Sequence, residues 1–476
     1  MENPDLTLEL SAERMRALVA QALDHVIAHI ESLPQQPSAD SEGGTEMARD
    51  LVEPLPEHGQ PYPKLLDLLF GRVIPKSFNT AGPGYLAYIP GGGLFHTAIA
   101  DFITDAVNRY MGLWITAPGL AQLEATVIRW FCDLVGYPAS ARGLLTTGGS
   151  LANFSALVTA RRERLPEQFL SGTLYVSDQT HHSVQKAALL AGFPPQNVRA
   201  IPCDAQFRVR IDLLQQHIAE DRQAGYSPFL IVGNAGTTNT GAVDDLSALA
   251  DLAQQEHLWF HVDAAYGGCF LLTEYGKTMM KGIQRADSVT LDPHKGLFLS
   301  YGTGSLLVKD GAALKRAHNV SAAYLPTGAE DPDLVDFANM SPELSRELRG
   351  LRIWLPMKMH GVAPFRHNLQ EKLDLTRWAT AELRQIPNLA IVAEPQLSVV
   401  AFRFIQPGLE LERLNRLNQD LLRRINARKR VYLSGTLLRG SFVIRICVLS
   451  FRTHFDRMQM CLDDIRAAVQ ETVPHI

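Results

Sequence analysis

The chain is poor in cysteine, and its cysteines form no pattern. Cys132, Cys203, Cys269, Cys447 and Cys461 are scattered over 476 residues, odd in number and without a C-x-x-C pair. That argues against a disulfide framework or a zinc site and fits reduced thiols in a cytoplasm. An excess of charge is also missing: 45 basic and 50 acidic residues leave a formal net of -5. Such a balance gives no general attraction to nucleic acid or to an anionic membrane. The clusters Arg161-Arg162-Glu163-Arg164 and Arg428-Lys429-Arg430 are short and read as solvated helix faces. Long apolar runs are absent too. The charge-free stretch 77–100 contains Gly82, Pro83, Gly84, Pro90 and Gly91-Gly92-Gly93, and 143–160 is interrupted by Thr146-Thr147-Gly148-Gly149-Ser150. Neither makes a continuous lipid-facing helix, so no membrane span is expected. The segment Met1-Glu2-Asn3-Pro4-Asp5 is acidic with no apolar core behind a basic head, so no secretory signal is expected.

What is present is an ordinary globular composition, 46% hydrophobic and 20% charged, in a chain too long for one core. Met15, Leu18, Val19, Leu23, Val26 and Ile30 recur at helical spacing and predict an amphipathic helix over 8–32, with another over 63–73. Two such helices cannot make a core, so they must pack on the rest of the chain or on a second subunit. Short apolar runs then alternate with helical segments. The predicted strands are 143–146, 173–177, 229–233, 258–262, 288–291 and 304–308. The helices between them are 152–164, 184–191, 211–224 and 246–256. This alternation predicts an α/β fold, a mostly parallel central sheet with helices on both faces, binding ligands at strand carboxyl ends. Beyond Trp354 the order is helix, two strands, helix, two strands, helix, which predicts a small α+β C-terminal domain. The expected division is an N-terminal arm (1–85), a large domain (86–355) and a small domain (356–476).

Four predicted strand ends carry chemistry. Gly148, Gly149 and Ser150 lead into a helix, where converging N–H groups and the helix dipole suit a phosphate. An ordinary glycine-rich turn has the same residues. His181 or His182 stands between a strand and a helix, either to stack on a flat ring or merely to cap the helix. A buried strand delivers Asp263, followed by the small Ala264 and Ala265. A buried carboxylate needs a cation, for which the ring nitrogen of pyridoxal phosphate would serve. Capping the next helix is the alternative. Ala265 leaves room for a flat ring. Last comes Asp292-Pro293-His294-Lys295. A desolvated lysine there suits a Schiff base, whereas most lysines are solvated surface groups. Thr238, after the strand 229–233, offers a further hydroxyl or belongs to a simple turn.

Taken together, these segments resemble the group II pyridoxal-phosphate-dependent amino-acid decarboxylases, the family of aromatic-L-amino-acid, glutamate and histidine decarboxylases. The matching residues are Asp178-Gln-Thr-His181, His261-Val-Asp-Ala-Ala-Tyr-Gly267, Pro293-His-Lys295 and the segment from Glu343 to Trp354. The likeness runs from about Asn79 to the C-terminus. It implies the aspartate aminotransferase fold (fold type I of the PLP-dependent transferases) and pyridoxal 5'-phosphate (PLP) as cofactor, with no metal. It also implies a cytoplasmic homodimer with active sites at the interface, the N-terminal helices wrapping the partner. By motif position, Lys295 would be the Schiff-base lysine, Asp263 the partner of the ring nitrogen and His181 the stacking residue. Gly149, Ser150, Thr238, Ala265 and His294 would complete the cofactor site. The implied activity is that of a lyase in amino acid metabolism, converting an L-amino acid to its amine and carbon dioxide, with an aromatic or bulky apolar side chain favoured.

Two departures from the family pattern bear on the reaction. A gapped match puts Phe337 near the mobile-loop position where animal aromatic decarboxylases carry a tyrosine thought to protonate Cα. Related aldehyde synthases carry phenylalanine there. Decarboxylation-dependent oxidative deamination to an aldehyde is therefore the alternative outcome, with Tyr324 or a histidine as other proton donors. The second departure is the substrate wall, expected from Tyr88, Ile89, Pro90, Leu113 and Phe337. Thr80, Ile89, Gly91 and Leu113 stand where aromatic decarboxylases tend to carry larger groups, while Tyr88 and Trp114 remain. Aminotransfer or β-elimination on the same fold is a further alternative. A non-catalytic scaffold is disfavoured, because it needs neither Lys295 nor Asp263.

Overall fold

The computed structural model describes residues 8–319 and 334–472. Its centre is a seven-stranded sheet. The strands are β1 (Arg142–Thr146), β2 (Gly172–Ser177), β3 (Val198–Ile201), β4 (Ser227–Asn234), β5 (Trp259–Asp263), β6 (Ser288–Leu291) and β7 (Gly304–Val308). They lie in the order β1-β7-β6-β5-β4-β2-β3. From β6 to β3 all neighbours are parallel; β7 runs against both β6 and β1. Every residue of β2, β5, β6 and β7 is buried, because helices cover both faces. The period-2 geometry of a strand divides its side chains between two cores. Phe260 and Val262 join one cluster with Leu145 and Leu307, while Trp259 joins the other with Leu144 and Leu306.

The strand β3 was not expected from the sequence. It is short, lies at the sheet edge and is mostly half-buried, and it carries Arg199 in an ion pair with Asp221. It therefore has no apolar run to signal it.

The C-terminal sheet holds β8 (Leu389–Ala393), β9 (Val399–Phe404), β10 (Ser434–Leu438) and β11 (Ser441–Cys447), antiparallel in the order β10-β11-β9-β8. Helices Ala363–Leu383, Leu411–Ala427 and Phe455–Thr472 supply the rest of that core. In the third strand of this sheet by chain order, pairing within the sheet starts only at Ser434. Upstream, Tyr432 bonds to the backbone of Gly84 and Leu86 instead. Leu86 then packs in the C-terminal core, fastening an early segment to a late one.

The helix Ala12–Ser32 begins at Ser11, whose hydroxyl accepts from the Arg14 N–H, and it buries none of its residues. Met15, Val19, Leu23 and Ile27 lie four apart along it and are all exposed, forming one apolar stripe. Among the described residues, no helix is long and apolar enough to cross a membrane.

Candidate active site

Five strand ends meet around a cavity of about 270 Å³. Its walls include Gly149, Ser150, His181 and Thr238, and its floor includes Asp263, Ala265, His294 and Lys295. All eight residues singled out for a cofactor are thus brought together.

The glycine turn follows β1. Helix Gly149–Arg164 starts without a side-chain cap, so its first N–H groups have no side-chain partner. A Cβ at position 149 would stand 2.9 Å from Asp292 Oδ2 and 3.3 Å from the Ala265 methyl, so the close approach there requires glycine. Thr146 Oγ1 secures the turn, donating to the Gly148 carbonyl at 3.0 Å.

At the end of β5, Asp263 is buried and both its oxygens are engaged. Oδ2 accepts from Asn153 Nδ2 at 2.9 Å, and Oδ1 accepts from the Ala265 N–H at 3.1 Å. His181 caps the helix His182–Leu190, its Nδ1 lying 2.8 Å from Ser183 Oγ. Burial lowers the pKa of that imidazole. Beyond β6, Lys295 Nζ lies 2.9 Å from Asp292 Oδ2. Burial by itself would push the ammonium down, but the Asp292 carboxylate outweighs it and holds Lys295 above its ordinary value. The other oxygen, Asp292 Oδ1, is buried and has no hydrogen-bond partner. His294 Nδ1 lies 2.7 Å from the Thr303 carbonyl, which only accepts, so Nδ1 carries the proton. Burial lowers this histidine's pKa too, leaving a neutral ring.

The donor set suits PLP. A helix N-terminus takes an anion, a lysine faces the same space for an aldehyde, and a fixed carboxylate awaits a protonated ring nitrogen. The unpaired Asp292 oxygen and the cradle that a Cβ at 149 would fill mark the same volume.

The expected substrate wall fares differently. None of Tyr88, Ile89, Pro90, Leu113 and Phe337 lines the cavity. Tyr88 is 52% exposed beside it, while Ile89, Pro90 and Leu113 are buried. Phe337 requires a correction. It is 1% exposed and packs in a core cluster with Met111 and Val335, the Arg346 guanidinium 4.6 Å above its ring. Arg346 is itself buried in an ion pair with Glu124, and the phenyl face covers that cation. A side chain so enclosed does not reach a substrate. Tyr324 lies outside the described residues.

Three residues at the site escaped the sequence reading. Asp292 stood inside the quoted segment, and its spacing of three from Lys295 was the available signal. Asn153 sits on the helix after the glycine turn. Arg445 was visible as an arginine in the otherwise apolar strand β11. It is buried, and it donates to the Thr238 carbonyl, to the Asn239 carbonyl at 2.8 Å and to Ser434 Oγ at 2.9 Å. A longer bond of 3.3 Å reaches the Tyr88 carbonyl. One guanidinium thus joins the C-terminal sheet, the Thr238 loop and the segment at Tyr88.

Comparison with known proteins agrees with this geometry. Residues 46–405 match the model of the pyridoxal-dependent decarboxylase conserved domain. An aromatic-L-amino-acid decarboxylase of Bacillus atrophaeus is 36% identical over 466 residues, covering 98% of this chain and 97% of its own. A phenylacetaldehyde synthase of Arabidopsis thaliana is 26% identical, covering 92% of each. The crystal structure of Oryza sativa TDC with PLP and tryptamine superposes with a TM-score of 0.92 at 25% identity, over 99% of both chains. By family model and by full-length similarity, the chain belongs to the pyridoxal-dependent decarboxylases and is a PLP-dependent amino-acid decarboxylase.

Proposed function

We propose that the substrate is an aromatic L-amino acid and that the products are its amine and carbon dioxide. The observation that carries the proposal is the union of Lys295, Asp263 and the Gly149 turn on one cavity, in a chain similar over nearly its full length to an aromatic-L-amino-acid decarboxylase.

The proposed roles follow from the geometry. The N–H groups at Gly149 and Ser150 hold the phosphate of PLP, with Thr238 and His294 beside it. Ala265 and His181 would flank the ring, Asp263 would face the ring nitrogen and Lys295 would hold the aldehyde end of the cofactor. Bound there, PLP supplies the electron sink that lets the bond from Cα to the carboxylate break. Lys295 and Asp292 hold a proton between them at the cavity floor.

We further infer a homodimer in the cytoplasm, divided as the arm 1–85, the cofactor domain 86–355 and the small domain 356–476. The exposed stripe on helix Ala12–Ser32 supports the arm, since so much apolar surface calls for a cover. Tyr88, which is exposed, would then meet the substrate as part of a wall that two subunits complete. Unpaired buried thiols at Cys132, Cys269, Cys447 and Cys461 support a reducing compartment.

Incubation with a panel of amino acids tests the reading. The expected result is carbon dioxide and amine in equal amounts, from aromatic substrates first. The aldehyde route consumes oxygen and water and yields aldehyde, carbon dioxide, ammonia and hydrogen peroxide. Stoichiometric peroxide would therefore overturn the amine product, and a preference for acidic or basic amino acids would overturn the substrate class. With Phe337 in the core, that residue no longer argues for the aldehyde.

A further inference from the structure

Asn153 is 3% exposed and lines the cavity, on the helix that starts at the glycine turn. Its amide sits at the centre of a buried network. Nδ2 is 2.9 Å from Asp263 Oδ2 and 3.0 Å from Ser183 Oγ. Oδ1 is 2.8 Å from Thr290 Oγ1 and 3.1 Å from His261 Nε2.

The proton positions can be worked out in sequence. A carboxylate only accepts, so the amide N–H groups face Asp263 and the amide oxygen faces His261. His261 Nε2 must then carry a proton, and Nδ1, 2.8 Å from Ser288 Oγ, must accept. Ser288 Oγ receives the Trp259 indole N–H at 2.8 Å, a group that only donates, and so gives its own proton to His261. On the other branch, Ser183 Oγ accepts from Asn153 and donates to His181 Nδ1 at 2.8 Å. The Ser183 backbone N–H reaches the same nitrogen at 3.3 Å. Every bond runs one way, from Trp259 through Ser288 and His261 to Asn153. There the chain divides, one branch ending on Asp263 and the other on His181. Burial fits this pattern: it pushes the His261 imidazole down to about 4 and lowers His181, so both rings are neutral near pH 7.

We propose that Asn153 is a positioning residue for the cofactor ring, setting the orientation of Asp263 directly and the tautomer of His181 through Ser183. The proposal rests on the PLP reading above. Asp263, engaged at both oxygens, has its plane fixed. His181, with Nδ1 occupied, keeps its hydrogen on Nε2. The other ionisable groups acting on this pair are His182 beside His181, Lys295 and Asp292 from beyond β6, and His261 on β5 itself.

Asn153→Leu keeps the size and removes all four bonds. Cofactor-free wild type and variant are titrated with PLP, and the bound ring nitrogen is followed by NMR with nitrogen-15-labelled cofactor across a range of pH. The variant should bind PLP about tenfold more weakly, and its ring nitrogen should lose its proton about one pH unit lower than in wild type. Unchanged affinity together with an unchanged nitrogen midpoint would overturn the proposal. Ser183→Ala cuts only the second branch. It should raise the protonation midpoint of His181, read from its imidazole resonances, and leave the ring nitrogen's midpoint in place; an unmoved His181 midpoint overturns that branch. Should Asn153→Leu not fold, Asn153→Ser is judged by the same criteria. Failure of wild type itself to take up PLP would sink the cofactor reading rather than the role of Asn153.

Discussion

The floor of the cavity and the wall beside it are built by opposite means. The floor is complete within one chain: Asp263, His261 and Asn153 are buried, and each is hydrogen-bonded to the next shell. The wall is unfinished. Of the expected wall residues Tyr88 alone is exposed, and apolar surface is also exposed elsewhere, on the first helix. On a buried polar floor each unpaired group costs free energy, and Asp292 Oδ1 is one that carries that cost. An open apolar wall takes its shape from whatever covers it. The difference teaches that the buried chemistry lies at strand ends of one chain, while the exposed apolar surface is where the proposed partner would act.

The sharpest way to break the comparison is at the floor. Lys295→Ala should lower turnover by about 10³-fold or more, the scale of losing a covalent catalytic group. Sedimentation should find the dimer intact, and borohydride should no longer fix the cofactor. Next comes the cover. Leu23→Glu sets a charge in the exposed stripe and should weaken dimerisation by about 10²-fold. Light scattering reads the loss, and PLP uptake by the resulting monomer should survive, since the floor needs no partner. A monomer that cannot bind PLP would refute the division between floor and wall.

A smaller effect follows from the ion pair. Asp292 raises the Lys295 pKa above its ordinary value, so the cofactor-free protein holds an ammonium at neutral pH. PLP needs the free amine, so its capture rate should rise about tenfold per pH unit between pH 7 and 9. Asp292→Asn should speed capture at pH 7. The sign for stability is the reverse: a raised lysine pKa stabilises the fold below about pH 10 and ceases to do so as pH climbs through the folded value. The smallest effect is expected at Phe337. Phe337→Tyr should cost about 1–3 kcal/mol of stability by burying a hydroxyl, with no change in the ratio of amine to aldehyde. A shift in that ratio would return Phe337 to the reaction.

The same contrast explains what could be read from the sequence. Lys295, Asp263 and Gly149 each sit where a short apolar run ends, and a strand end is visible in one dimension. The role of Asn153 is not, because its partners His261, Asp263 and Thr290 come from two other strands more than a hundred residues away. Arg445 is hidden for the same reason, its acceptors lying at Tyr88, Thr238 and Asn239. Phe337 was misplaced because 334–339 has no periodicity to set a register, and the cation that claims its ring comes nine positions later. The edge strand β3, with an arginine among four residues, gave too little pattern to detect.

The strand β7 also governs when a newborn chain becomes competent. It lies between β1 and β6 and is synthesised after both. Until Val308 has been made, the strand leading to the glycine turn has no neighbour to join it to the strand leading to Lys295. Contacts of such long sequence separation form slowly. A chain arrested on the ribosome short of β7 would expose the facing edges of β1 and β6, and would hold the two ends of its cofactor site on unjoined pieces.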